Sequence, residues 1–302
     1  MIVRSLAVIG LLSCAGIAAA DNFDLPPLIE SAAPEHHVGK MIWADLVTPD
    51  LALAERFYGG LLGWTFHETH HGSTHYAIAL HDARPIAGVV QRQPPPGNTA
   101  HPAWLTFIAV EDVDVTKEVA LRNGATALSE PVTYARRGRQ VVLRDPQGAA
   151  FALLASTAGD PQDLLAQPGE WIWSSLLTHD VDQAAAFYQT VFGYEVYDLP
   201  SADGREHVVL SREDYARAGA RDLPTAATHA HPHWLNFVRV EDVQALAAKV
   251  EGLGGKILVP PHLDRHGGHI AVFADPAGAP FGVMEWTEAD SQFEPKSAAV
   301  AP

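Results

Sequence analysis

The sequence has 302 residues, 47% of them apolar and 19% charged. That is globular composition with material for sizeable cores, and at ~150 residues per domain the length suits two domains better than one. The formal net charge of −16 argues against nucleic acid or an anionic membrane surface as a partner, because phosphate binding rests on clustered Lys and Arg.

Residues 1–20 read as an export signal. Arg4 supplies a short positive region, Leu6 to Leu12 an apolar run, and Ala18, Ala19 and Ala20 a small-residue cleavage site before Asp21. The run is shorter than the ~20 apolar residues that a membrane span needs. Leu11, Leu12, Ser13 and Cys14 offer an alternative ending. They resemble a bacterial lipoprotein box, which would leave Cys14 as a lipidated, membrane-anchored N-terminus. Otherwise the product is periplasmic or secreted. Cys14 is the one cysteine, so the domains can form no internal disulfide and use no thiol chemistry. Without residues 1–20 the chain carries 19 basic against 36 acidic side chains, a charge of −17 that leaves a neutral or cationic ligand open.

Residues 21–38 lack periodicity and read as a tether. Met41 to Val47 alternates as a strand. Asp50 then caps a helix whose apolar stripe includes Leu53, Phe57, Leu61 and Leu62, and Gly63 ends it. Strands are predicted near 64–68, 75–80 and 86–91. The cycle restarts with a strand from Trp104 to Val110, a helix over 114–122 ended by Gly124, and strands near 126–134, 139–144 and 149–154. Asp145-Pro146-Gln147-Gly148 makes a tight turn between the last two. One copy therefore reads βαβββ-βαβββ, an α+β fold.

A shift of 130 residues lays the second half on the first. Trp43 meets Trp173, Phe57-Tyr58 meets Phe187-Tyr188, Gly63 meets Gly193, His101-Pro102 meets His231-Pro232, Trp104 meets Trp234, and Asp145-Pro146 meets Asp275-Pro276. One offset held over more than 100 positions is a duplicated domain, too long a period for a solenoid unit. The expected organisation is a first domain at 39–157, a linker at 158–168, a second domain at 169–287 and a disordered tail at 288–302. The two domains should pack as a pseudo-dimer within one chain.

The paired βαβββ units, the strand-to-helix start at Leu46 to Asp50, the Phe57-Tyr58 and Leu62-Gly63-Trp64 helix end, and the Asp145 turn resemble the vicinal oxygen chelate superfamily. That superfamily includes glyoxalase I, bleomycin-resistance proteins and extradiol dioxygenases. The resemblance covers about 40–157 and 170–287, and is nearest to tandem members labelled "hydroxylase". It implies a curved sheet in each domain forming a cup that holds a ligand or a metal. In metal-using members the cup's ligands are His, Glu or Gln. The resemblance places those positions on Trp43, Ala87, Leu105 and Ala152, and on Trp173, Arg217, Leu235 and Gly282. None is a usual ligand for a divalent metal, so the expectation is no metal cofactor, and glyoxalase I or dioxygenase chemistry is put in doubt.

Trp43, Trp104, Trp173 and Trp234 each open one unit. They either line the cups, stacking on a flat ligand, or fill the sheet–helix core. Alternation puts Asp45 on the face of Trp43 and Thr106 on the face of Trp104, with Ser175 and Asn236 as their counterparts. Asp45 is the candidate catalytic carboxylate, against the alternative of a solvated strand-end acid. Trp43, Asp45, Trp104, Thr106, Trp173, Trp234 and Asn236 are the expected ligand-binding set. Among 16 histidines, His229, His231 and His233 alternate and could share one side of an extended segment, an alternative Zn²⁺ or Cu²⁺ site. No Gly-rich phosphate loop and no Gly-x-Ser-x-Gly elbow is present. The expected function is metal-independent binding of a small aromatic or hydrophobic molecule. The alternative is a superfamily enzyme (lyase, isomerase or dioxygenase) with a non-standard or metal-dependent site.

Overall fold

The structure, a computed structural model, describes residues 25–29, 35–71, 74–93, 102–199, 207–223, 231–264 and 267–286. The export signal, Cys14, His229 and the tail lie outside the described residues. Among those described, no helix is long and apolar enough to cross a membrane.

The first half forms β1 (Met41–Thr48), α1 (Leu51–Leu62), β2 (Thr65–His71), β3 (Thr74–His81), β4 (Arg84–Gln91), β5 (Ala103–Ala109), α2 (Val113–Arg122), β6 (Thr126–Ala127), β7 (Val132–Tyr134), β8 (Gly138–Arg144) and β9 (Ala150–Ser156). The second forms β10 (Trp171–Thr178), α3 (Val181–Phe192), β11 (Glu195–Asp198), β12 (His207–Arg212), β13 (Tyr215–Asp222), β14 (His233–Arg239), α4 (Val243–Val250), β15 (Lys256–Leu263), β16 (His269–Ala274) and β17 (Pro280–Met284). Each half is one curled mixed sheet. The strand orders are β2-β3-β4-β1-β5-β9-β8-β6, with β7 also on β8, and β11-β12-β13-β10-β14-β17-β16-β15.

Local chemistry accounts for the element ends. Asp50, Asp112, Asp180 and Asp242 all sit in extended backbone and accept from helix N–H groups two or three residues on, satisfying donors that have no partner within the helix. Gly63 and Gly193 close α1 and α3 in the left-handed conformation. In the turn after β8, Asp145 Oδ1 collects the N–H groups of Gln147, Gly148 and Ala149 at 2.8–2.9 Å. The region expected as one strand at 126–134 is two short strands, β6 and β7. Between them Leu128 and Ser129 both donate to the Val142 carbonyl, and Pro131 has no N–H to continue the ladder. The 130-residue offset becomes 131 in one hairpin. Asp45 pairs with Gly88, whereas Ser175 pairs with Gly219.

The helix-bearing faces of the two sheets pack against each other. One shared core joins α1 and its strands to Val238, Val243, Val250, Phe273 and Phe281 of the second half. The other joins Ile108, Val113, Leu143 and Phe151 to α3, Tyr194 and Leu210. Polar contacts repeat reciprocally across this interface. Tyr58 Oη donates to Asp275 and accepts from Trp104 Nε1, while Tyr188 Oη donates to Asp145 and accepts from Trp234 Nε1. Trp64 Nε1 donates to the Gly169 carbonyl, and its counterpart Tyr194 donates to that of Gly39. Where the halves meet at β5 and β14, Thr106 donates to its own counterpart, Asn236, at 2.8 Å. A residue touching its equivalent lies on the pseudo-twofold axis.

Candidate functional site: two unequal cups

With the helix faces buried together, the opposite face of each sheet lines a cup. A register shift between Met41 and Trp43 brings Ile42 and Trp43 into one cluster with Tyr76, Ile78, Leu105, Phe107, Val142, Ala152 and Leu154, which line the first cup. That cluster also contains Leu25 and Leu28, each 5% exposed. The segment read as a tether therefore places two leucines in the first cup, because its short apolar run, Leu25 to Leu28, finds apolar walls there.

The floor of the first cup is polar and closed. Asp45 Oδ1 accepts from Trp43 Nε1 at 2.8 Å and from Tyr76 Oη at 3.0 Å. Arg137, 1% exposed, lies with its guanidinium carbon 3.9 Å over the Trp43 ring and donates from Nε to the Pro26 carbonyl at 2.7 Å. Burial holds the Asp45 carboxyl above its ordinary range, although Arg137, Trp43 and Tyr76 all favour its charge. The same burial lowers the Arg137 pKa, against Tyr76 and Asp45. A methyl group on Gly88 would come within 2.0 Å of Tyr76 Oη and 2.1 Å of Asp45 Oδ1, so glycine at 88 is what lets these two groups meet. The structure thus joins Trp43 and Asp45, as alternation requires, but engages the candidate carboxylate in internal hydrogen bonds.

The second cup has the same plan and different chemistry. Ser175 replaces Asp45 and accepts from Trp173 Nε1 at 3.0 Å. His207 occupies the place of Tyr76, since His207 pairs with Arg221 as Tyr76 pairs with Val90. A methyl on Gly219 would lie 3.3 Å from Ser175 Oγ, 3.4 Å from His207 Nε2 and 3.5 Å from Trp173 Cζ2. Three different side chains converge on one point there without closing it. Leu235, Phe237 and Met284 are buried at the base, with Ile172, Trp173, Leu177, Ile270, Val272 and Trp286 only partly buried around them. Trp43 is 3% exposed, whereas Trp173 is half-buried.

Trp104, Thr106, Trp234 and Asn236 lie in neither cup. Trp104 stands edge-on to Tyr58, Trp64 and Trp171 in one shared core, Trp234 edge-on to Tyr188 in the other. Thr106 and Asn236 are fully buried at the domain seam. The pairing Trp43/Asp45 faces the cup while Trp104/Thr106 faces the helices because β1 and β5 run antiparallel, with Leu46 opposite Trp104. This register is invisible to alternation within one strand.

The superfamily's metal positions need one correction. Ala87 lies in the helix-side core, so the β4 and β13 residues facing the cups are Gly88 and Gly219, not Ala87 and Arg217. Arg217 instead donates to Asp163 at 2.6 Å. Trp43, Gly88, Leu105 and Ala152, and Trp173, Gly219, Leu235 and Gly282, offer no imidazole, carboxylate or thiolate, and do not fit a divalent ion. Among the described residues, no cluster of three or more His, Cys, Asp or Glu side chains is arranged to hold one. His231 is exposed, and its carbonyl lies 2.8 Å from His233 Nδ1. Burial lowers the His233 pKa.

Family comparisons agree with this architecture. The pattern described as "Glyoxalase-like domain" matches residues 41–154, and that of the "Glyoxalase/Bleomycin resistance protein/Dioxygenase superfamily" matches 172–283. The chain belongs to this superfamily. Among curated members, a Mycobacterium tuberculosis protein provisionally named as a glyoxylase, CFP32, is 30% identical over 253 residues, covering 83% of this chain and 96% of its own. The anthracycline biosynthesis protein DauV of Streptomyces sp. (strain C5) is 32% identical over 266 residues, covering 83% and 94%. The Mn(II)-bound glyoxalase from Novosphingobium aromaticivorans shares the fold, with TM-score 0.58, 16% identity and 83% of each chain covered.

Proposed function

We propose that this superfamily member is an exported protein that holds a small aromatic or hydrophobic molecule in its second cup without a metal. The reading rests chiefly on one observation. The second cup presents a partly exposed apolar lining around Trp173, whose indole is held in place by Ser175, while its metal positions hold no donor. A flat ring system would stack on Trp173. Ser175, having accepted the indole N–H, keeps its own O–H to donate to a ligand oxygen. The charge of −17 after removal of residues 1–20 favours a cationic ring.

A metal-dependent enzyme is the second reading, supported by the glyoxylase name of the mycobacterial relative and by the Mn(II)-bound structural neighbour. One titration separates the two. Tag-free protein titrated with proflavine, a planar aromatic cation, is expected to bind unchanged in EDTA. Trp173→Ala is expected to weaken binding by ~1–3 kcal/mol. Loss of binding in EDTA, or a stoichiometric metal in the tag-free protein, would favour the enzyme. Equal binding by Trp173→Ala would remove this cup as the site.

A further inference from the structure

We propose that the first cup is a second ligand site, held shut by the chain's own Leu25–Leu28 segment, and that it takes a neutral, mostly apolar molecule bearing a carbonyl oxygen. The inference is independent of the reading of the second cup, since it concerns the other domain and a different floor.

Three observations carry it. First, the segment occupies the cup as a ligand would. Leu25 and Leu28 are buried among Trp43, Tyr76, Leu105 and Phe107, and between them the Pro26 carbonyl receives Arg137 Nε at 2.7 Å. Second, the floor is more polar than two leucines require. A merely structural plug would be matched by apolar side chains, yet this one covers Asp45, Tyr76 and an Arg137 that is 1% exposed. Arg137 Nη2 is buried and has no acceptor, a cost that an unmet donor imposes in any buried site. The strap therefore satisfies the floor incompletely, and a ligand oxygen reaching both Nε and Nη2 would satisfy it better.

Third, the strap is held in a way that permits release. Pro26 and Pro27 have no N–H, so neither can donate to the sheet as a strand residue would. Among the described residues, the bond from Arg137 is the hydrogen bond that ties residues 25–29 to the cup. The floor sets one acid beside one base, Asp45 bonded to Trp43 Nε1 and Arg137 over the Trp43 ring, so neither sign of charge dominates it. That selects a carbonyl compound over a carboxylate or an ammonium ion.

The test keeps the full chain. Leu25→Asp with Leu28→Asp should eject the strap, and the probe is the neutral tetrapeptide acetyl-Leu-Pro-Pro-Leu-amide. The double variant should bind it at one site at least tenfold more tightly than the parent, and adding Arg137→Met should abolish the gain. Equal binding by parent and variant, or a gain indifferent to Arg137, overturns the proposal. Should the double variant fold poorly, thiol labelling decides the matter in the native protein. In a Cys14→Ser background, Leu28→Cys should react with a thiol reagent at least a hundredfold faster than Val89→Cys in the core, and faster still with excess tetrapeptide. Labelling at the core rate, unmoved by peptide, means that the strap opens only when the domain unfolds, and sinks the idea.

Discussion

Replacing Trp104 by Ala should cost stability and leave the second cup's ligand affinity nearly intact. Trp104 is 5% exposed, and it packs edge-on against Tyr58, Trp64 and Trp171 while donating to Tyr58 Oη at 2.9 Å. Truncating a buried Trp costs ~3–5 kcal/mol. Losing the N–H contributes about 1 kcal/mol of this, since Tyr58 still has Asp275 as acceptor. At roughly 2–4 °C per kcal/mol for a cooperative unit of this size, the melting temperature should fall by about 6–20 °C. Trp104→Phe keeps most of the ring area and should lose only ~1–2 kcal/mol. Trp173→Ala is the contrasting case, because its indole is half-buried and donates within the cup to Ser175. It should lose affinity more than stability. Calorimetric melting and probe titration on these three variants and the parent provide the comparison. A Trp104→Ala protein that melts within about 2 °C of the parent but loses ligand would show that the indole lines a binding surface, and the assignment of faces would be wrong.

Two further outcomes follow from the ends and the seam of the molecule. Asp163 pairs with Arg217 at 2.6 Å and Lys40 at 2.9 Å, and although burial opposes its charge, these partners hold its pKa below the ordinary carboxylate value. The stability these contacts contribute is present above that ordinary value and is lost as pH falls through the depressed one. Asp163→Asn should therefore cost about 3 kcal/mol near neutral pH, with the gap to the parent narrowing below about pH 4; a gap independent of pH would refute the assignment. At the N-terminus, intact mass of protein from native cells should show a start at Asp21, or a lipidated Cys14, and a retained Met1 would defeat both export readings.

Much of the fold was legible from residues alone, because the signals for it are local. Asp50 and Gly63 bound a helix through hydrogen bonds and backbone freedom that involve only their near neighbours, and the chain folds as that chemistry requires. The repeat at one offset makes the duplication plain from the sequence, and alternation joins Trp43 to Asp45, as the structure does. Local signals could not say which face of β5 meets helices. Trp43 and Trp104 occupy matching places in their units, yet one faces a cup and the other a shared core, a difference set by the antiparallel pairing of β1 with β5.

The rest was decided by groups distant in sequence. Arg137 reaches Pro26 across 111 residues, Tyr58 reaches Asp275 across 217, and His207 meets Ser175 and Trp173 over Gly219. An internal comparison of the halves flags some of this, since Asp45 and Arg137 give way to Ser175 and Gly267 at the 130-residue offset, although the same comparison sets Glu206, not His207, against Tyr76. It would not have revealed that Leu25 and Leu28 fill one cup. Sequence determined the two copies, their elements and their unequal residues, because propensity, capping and periodicity act within a few positions. Tertiary structure alone decided which cup is closed, because burial depends on where the sheet curls and on which distant segment arrives to cover it.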